Sequence, residues 1–125
     1  MTGSILLYIG SSLPFIWGVA HLFPTGNVVR GFGEISIDSR RIITMEWIIE
    51  GITLIFIGIL IALVTYVDPN SLVSGIVYWT SFSILNLLSL VSLFTGFRVP
   101  MIPFQLCPFI FTGSSFLILL GILIS

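Results

Sequence analysis

Four long apolar stretches are the feature that most constrains how this chain can fold. They cover residues 5–23, 42–67, 72–97 and 104–124. Each is long enough to cross a hydrocarbon core of about 30 Å as a helix, which takes about 20 residues. The stretches predict an all-α protein: an integral membrane four-helix transmembrane bundle that makes one domain over residues 1–125.

The composition supports a membrane setting and excludes some partners. Hydrophobic residues make up 57% of the chain and charged residues 7%, whereas about 25% of residues are charged in soluble domains. Lipid is therefore the main solvent that we predict. A formal net charge of −1 provides no basic field for nucleic acid, so no nucleic-acid partner is expected. A single cysteine excludes an internal disulfide and a CxxC redox pair.

The arginines predict the orientation of the bundle. Three of them lie in the first loop, residues 24–41, and Arg98 opens the third loop, residues 98–103, whereas the tight turn at 68–71 has none. Because arginines in short loops stay in the cytoplasm, both loops should be cytoplasmic and both termini should lie outside the cell membrane (N-out/C-out). The same orientation predicts aromatic belts, with Trp47 at the cytoplasmic interface and, at the outer interface, Tyr8, Tyr66, Tyr78 and Trp79.

The second span separates into faces of different character. Glu46 and Glu50 lie one helical turn apart and share a face with Thr53, while Gly51 and Gly58 lie about 120° away. The small residues favour close contact with another helix. A charge at mid-membrane costs about 2.5–3.5 kcal/mol on insertion scales, so we expect the acidic face to point into the bundle.

Polar residues of three spans fall at a similar depth, toward the cytoplasmic leaflet. His21 lies near the end of the first span, and His21 and Arg98 are the available partners for the two carboxylates, which repel each other if both are ionised. The pattern predicts a polar pocket that opens toward the cytoplasmic leaflet. Its candidate ligand-binding residues are Trp17, His21, Glu46, Glu50, Asn86 and Arg98.

Other interpretations of the same residues stay open. Ionisable groups inside a membrane are functional by default, but the cluster could also be a structural network that fixes helix register. A metal site is a third interpretation, but no metal ligands are assigned, because one histidine and two glutamates fall below the ligand count of the usual metal motifs in helix bundles. Cys107 is interpreted as a packed small residue, since no base is adjacent in sequence. The first loop either folds back over the cluster or lies at the interface, with a turn at residues 31–33.

The segment FIWGVAHLFP, residues 15–24, carries small residues that lead to one basic group and then a proline-bearing loop. In this segment and in its four-span layout the chain resembles the DoxX-like group of small four-helix membrane proteins. His21 stands where a lysine is common in that group. The resemblance implies a four-helix bundle that is linked to membrane redox enzymes or has an unknown role.

Together these features predict a small polytopic membrane protein that is a ligand-binding or accessory subunit, surrounded by membrane lipid. It would act as a homo-oligomer or within a larger membrane complex. A quinone-like or lipid-derived molecule suits the apolar and aromatic surroundings, and the sequence identifies no cofactor.

Two alternative functions use the same cluster. One is a membrane enzyme with Glu50 or Glu46 as general base and His21 as acid, acting on a lipid-soluble substrate. It requires the histidine and a carboxylate within hydrogen-bond reach. The other is a proton-coupled small transporter in which the carboxylate pair alternates between proton and substrate, and it requires a water path to the outer face.

Overall fold

The computed structural model describes residues 2–124, and this part of the chain is helical without any strand. Four helices are long and apolar enough to cross a membrane. The predicted all-α four-helix bundle is confirmed, and the chain is a small multi-pass membrane protein. Its long helices are α1 (Thr2–Leu22), α3 (Ile37–Val67), α4 (Leu72–Phe94) and α5 (Ile102–Ile124); the short α2 (Thr25–Arg30) and a 3₁₀-helix (Gly96–Arg98) lie in the connections.

Serine caps set the starts of α3 and α4. The hydroxyl of Ser36 accepts a hydrogen bond from the backbone N–H of Ser39 at 3.1 Å, and Ser71 does the same for Ser74 at 3.1 Å. A capped first turn satisfies one of the backbone donors that a helix leaves unpaired, so each helix begins directly after its serine. For this reason α3 begins at Ile37, before the apolar stretch that starts at residue 42.

Three prolines lie at or near the start of α5, and they do not break the helix. Pro100 lies in the preceding turn, and Pro103 lies in the first turn of α5, where the missing N–H has no intrahelical partner to lose. Pro108 lies inside α5, which continues past it. Its carbonyl accepts a hydrogen bond from the hydroxyl of Ser89 on α4 at 3.1 Å, which ties the two helices together at this position.

Helix α1 is central, since it packs against both α3 and α5, and α4 packs against α5. Small residues allow the closest approach. A Cβ added to Gly18 would lie 2.5 Å from the carbonyl oxygen of Gly51, and one added to Gly58 would lie 2.7 Å from that of Ser11. The small-residue face of the second span is therefore the surface that contacts α1, as expected. By contrast, α3 and α4 are joined by the tight turn but contact each other sparingly.

The aromatic side chains follow the predicted belts only in part. Tyr8, Tyr66 and Trp79 are exposed on the surface of the bundle, as side chains at an interface would be. Tyr78 is instead 2% exposed, because its hydroxyl pairs with that of Thr65 at 2.7 Å between α3 and α4. The belt interpretation is therefore wrong for Tyr78.

The first connection folds back onto the bundle. Val28 and Val29 of α2 are buried, and the ring of Phe32 meets that of Phe104 edge to face at 5.8 Å. The predicted turn follows α2, and Gly33 there has φ +76°, a conformation that favours glycine. We call the end of the bundle that carries α2, the 3₁₀-helix and the starts of α3 and α5 the arginine end, because it holds all four arginines of the chain.

Candidate functional site

His21 lies in the last turn of α1 and is 1% exposed. Its Nδ1 lies 2.8 Å from the backbone carbonyl oxygen of Trp17. A carbonyl oxygen can only accept a hydrogen bond, so Nδ1 carries the proton of the neutral ring. The other ring nitrogen, Nε2, is directed away from the backbone of α1. This hydrogen bond fixes both the tautomer and the rotation of the ring.

Trp47 completes the packing of the imidazole. Its indole ring stacks on His21 with centroids 4.2 Å apart, and its Nε1–H donates to the carbonyl oxygen of His21 at 2.5 Å. Trp47 is 4% exposed, so its predicted place in an aromatic belt is wrong. The physical reason is that the indole finds both a ring to stack on and an acceptor between α1 and α3.

Three helices bring one donor atom each to this place. Nε2 of His21 lies 3.5 Å from Oε2 of Glu50 on α3, and a ring nitrogen of His21, a carboxylate oxygen of Glu50 and Sγ of Cys107 on α5 all lie within 4.8 Å of one another. We call these three residues the His–Glu–Cys cluster. Close contact between α1 and α3 at Gly51 brings His21 and Glu50 to the same depth, since a Cβ on Gly51 would lie 3.1 Å from Cβ of His21.

Cys107 lies in this cluster, although the sequence pattern does not predict it there. Its Sγ accepts a hydrogen bond from Nε1–H of Trp17 at 3.3 Å and donates to the carbonyl oxygen of Pro103 at 3.2 Å. Cys107 is 5% exposed, as expected for a packed residue, and His21 lies beside it in the cluster, a proximity that the sequence did not predict. The sequence carried one signal: Cys107 lies within the proline-rich segment of residues 98–108, which enters the bundle from the arginine end.

Nε2 of His21 is a buried polar atom with no hydrogen bond of acceptable geometry to any residue from 2 to 124. Its contact with Glu50 is longer than the 2.7–2.9 Å or so of a charge-assisted N–H···O bond. In the neutral ring it directs a lone pair toward the carboxylate. The cluster can therefore take up a proton or a cation at this atom.

A cavity of about 640 Å³ lies beside the cluster, between α3 and α4 at the arginine end. Glu50 and Cys107 reach its wall, and the side chain of Glu50 is 33% exposed. Apolar walls include Phe32, Ile43, Leu54, Leu88, Val91 and Phe104. The lining also includes three residues with hydroxyl groups: Thr53, Ser92 and Thr95.

The acidic face of α3 does not point into a packed interior. Glu46 and Thr53 are exposed, and both line this cavity together with Glu50. The expectation of an inward acidic face is wrong for Glu46, because α3 and α4 do not close against each other at the arginine end and leave it in an open space. Glu50 is partly buried and faces His21.

The remaining predicted site residues lie apart from the cluster. The amide of Asn86 donates to the carbonyl oxygen of Phe82 at 2.8 Å, and its Oδ1 accepts from Ser115 at 3.5 Å, which places it in the contact between α4 and α5. Arg98 is exposed in the 3₁₀-helix and forms no ion pair within the described part of the chain. The structure thus brings together Trp17, His21 and Glu50, with Glu46 in the adjoining cavity.

Fold and site together define a small four-helix membrane protein with a buried polar cluster beside an apolar cavity. Comparison with protein-family models, with curated proteins and with solved structures finds no match to this chain. The resemblance to the DoxX-like group stays a prediction.

Proposed function

We propose that this protein is a ligand-binding protein of the cell membrane. The cavity between α3 and α4 takes an apolar, quinone-like or lipid-derived molecule whose polar end lies at Glu50. One observation carries the proposal: a cavity of about 640 Å³ combines apolar walls with a partly exposed carboxylate. Pockets for small molecules commonly measure about 300–1,000 Å³ and have few polar groups.

The polar groups of the cavity support a ligand with a hydroxyl or a similar donor. The carboxylate of Glu50 can accept a hydrogen bond from such a group, and Thr53 on α3 lies on the same cavity wall. Ser92 on α4 and Thr95, directly after α4, also line the cavity. The ring of Phe104, which contacts Trp47 with centroids 5.2 Å apart, provides a flat apolar surface for the body of the ligand.

The position of the cavity supports entry from one leaflet. All four arginines lie at the end of the bundle where the cavity lies, and arginines in short connections favour the cytoplasm. We therefore place the arginine end, with the connections around α2 and the 3₁₀-helix, on the cytoplasmic side. A lipid-soluble ligand would enter from the cytoplasmic leaflet through the gap between α3 and α4.

Filling the cavity tests the proposal. Thr53→Trp places an indole in the cavity, whereas Ile52→Trp adds the same indole at a neighbouring position that is 56% exposed. We expect organic extracts of the purified parent and of Ile52→Trp to contain the same bound apolar molecule by mass spectrometry, and Thr53→Trp to have lost most of it. Identical extracts from the three proteins, at equal melting temperatures, would contradict ligand binding in this cavity.

A further inference from the structure

We propose that His21, Glu50 and Cys107 bind one zinc ion. The site lies deeper than the proposed ligand cavity and does not depend on a ligand being there. It stands on three observations: a cluster of three donor atoms, a buried ring nitrogen to which no described residue forms a hydrogen bond, and hydrogen bonds that hold His21 and Cys107 in place.

The donor set suits zinc better than magnesium or calcium. Imidazole nitrogen, thiolate sulfur and carboxylate oxygen are the three ligand types that Zn²⁺ takes in proteins. Magnesium and calcium prefer oxygen ligands alone, so a thiolate argues against them. The three residues come from α1, α3 and α5, so an ion here would also link three helices.

The distances are close to those that a zinc ion requires. Zinc–ligand bonds of about 2.0–2.3 Å put neighbouring ligand atoms of a tetrahedral site roughly 3.3–3.8 Å apart. Nε2 of His21 and Oε2 of Glu50 lie 3.5 Å apart, which already meets this spacing. Sγ of Cys107 lies within 4.8 Å of a ring nitrogen of His21 and of a carboxylate oxygen of Glu50, so the thiolate has to move about 1 Å closer to reach the spacing of a zinc site.

The hydrogen bonds of His21 favour a metal ligand over a member of a nucleophilic triad. In a triad, the carboxylate orients one ring nitrogen while the other faces the nucleophile. Here the carbonyl oxygen of Trp17 holds Nδ1, and Glu50 faces Nε2. Glu50 and Cys107 would therefore need the same ring nitrogen, so Glu50 cannot orient the ring while His21 accepts the proton of Cys107. A backbone carbonyl on Nδ1 with Nε2 directed at the other donors is the arrangement of a zinc-binding histidine.

Trp17 supports two of the three donors. Besides holding Nδ1 of His21 through its carbonyl oxygen, it donates its indole N–H to Sγ of Cys107 at 3.3 Å. A donor aimed at sulfur stabilises the thiolate that zinc requires. When zinc binds, the thiol proton is released to solvent and the hydrogen bond from Sγ to Pro103 is given up, while the one from Trp17 remains.

The cavity beside the cluster gives the ion an open side. Glu50 and Cys107 both line the cavity, whereas His21 lies behind them, fully buried. Sites with three protein ligands keep a fourth position for water or another small ligand. In this protein that position would face the cavity.

Metal titration of the purified 125-residue protein in detergent tests the site. After treatment with a chelator, we expect the parent to bind one Co²⁺ per chain, with the charge-transfer absorption of a thiolate–cobalt bond, and Zn²⁺ to displace it. The chain has one cysteine and one histidine, so the absorption reports on Cys107 alone. Zn²⁺ should also slow the alkylation of Cys107 by a small maleimide.

Variants separate this site from an ion held loosely in the cavity. Cys107→Ser should abolish the charge-transfer absorption. Glu50→Gln should weaken Zn²⁺ binding by at least about tenfold, which is the lower end of the loss seen when a residue that supports a metal ligand is changed. Glu46→Gln, one turn earlier on the same helix and also facing the cavity, should leave the affinity unchanged.

Two results would overturn the zinc site. One is a folded parent that shows neither cobalt–thiolate absorption nor protection of Cys107 by Zn²⁺, a measurement that needs no variant. The other is an equal loss of affinity in Glu46→Gln and Glu50→Gln. Neither result touches the cavity proposal, which the extracts of Thr53→Trp decide separately.

Discussion

His21 shows how much of this site depends on single side chains. One ring nitrogen is held by the carbonyl of Trp17, one ring face is covered by Trp47, and the second nitrogen lies opposite Glu50. The first two contacts come from atoms whose positions are set by backbone or by close packing. The imidazole is therefore oriented before any ligand or ion arrives, which lowers the entropy cost of binding at Nε2.

Hydrogen bonds from hydroxyl groups connect α3 and α4 at the opposite end of the bundle. Tyr78 and Thr65 share a hydrogen bond of 2.7 Å, and the hydroxyl of Ser74 donates to the carbonyl oxygen of Asp68 at 2.5 Å. These bonds hold α3 to α4 next to the tight turn that joins them. Buried polar side chains between membrane helices are stabilising when they are paired in this way.

We predict that Tyr78→Phe lowers the free energy of unfolding by about 0.5–1.5 kcal/mol, the net worth of one hydrogen bond. Thr65 keeps its second bond, to the carbonyl oxygen of Ile61 at 2.7 Å, so the loss should not be larger. Unfolding in mixed detergent–SDS micelles measures the change. Tyr66→Phe removes the same hydroxyl from a side chain that is 82% exposed and is the control. Equal stabilities of the two variants would show that the Tyr78 hydroxyl contributes nothing.

The packing of the helices depends on glycines, which have no side chain and let two helices approach closely. Gly18 of α1 and Gly51 of α3 lie against each other with backbone in contact range, and this approach brings His21 to Glu50. Association of helices in lipid gains little from the hydrophobic effect, so close packing of small residues has to supply the attraction. The α1–α3 contact is therefore the one that assembles the site.

Gly18→Ala should be among the most damaging small substitutions in the protein. Its Cβ would lie 2.5 Å from the carbonyl oxygen of Gly51 and 2.9 Å from the backbone nitrogen of Ile55, so the helices must move apart. Overpacking of this kind costs about 1–3 kcal/mol. A lower melting temperature in detergent and a weaker metal or ligand signal would report the shift.

Gly75→Ala is the matched control for that substitution. A Cβ at Gly75 on α4 meets no atom within 4 Å, and alanine favours a helix over glycine by up to about 1 kcal/mol. We expect a melting temperature equal to or slightly above that of the parent. A Gly18→Ala protein as stable as Gly75→Ala would mean that α1 and α3 are not held by this contact.

The molecule as a whole is an incompletely closed bundle. α1 packs on two neighbours, α5 packs on α1 and α4, and the fourth contact, between α3 and α4, is tight only near their connecting turn. The opening coincides with the arginine end and holds the cavity. The polar cluster, the cavity and the arginines are thus all on one side of the bundle's midplane, and this asymmetry is the basis for the proposed orientation.

Cysteine labelling in intact cells tests that orientation. In a Cys107→Ser background, we expect Asn70→Cys, in the exposed turn between α3 and α4, to react with a membrane-impermeant maleimide. Glu34→Cys, in the exposed connection before α3, should react only after the membrane is permeabilised. The reverse pattern would place the arginines outside and would overturn the cytoplasmic assignment of the cavity.

Much of the architecture was predictable from the order of residues alone. Length and apolarity predicted four helices, and Gly51 and Gly58 predicted the contact face of α3. These features are encoded along one segment at a time, because helical periodicity and the thickness of the membrane act on each segment independently. Depth along the helix axis was readable for the same reason, which is why His21 and Glu50 were placed together.

Only the tertiary structure decided which residues meet around the bundle axis. Cys107 joins His21, Trp47 is buried against it, and Asn86 and Arg98 stay apart, although all of them lie on spans or connections that the sequence analysis had identified. The rotation of each helix about its own axis and the choice of its neighbours depend on how well small and large side chains fit across the contact. That fit is a property of pairs of helices far apart in the chain, so it has no signature in either segment by itself.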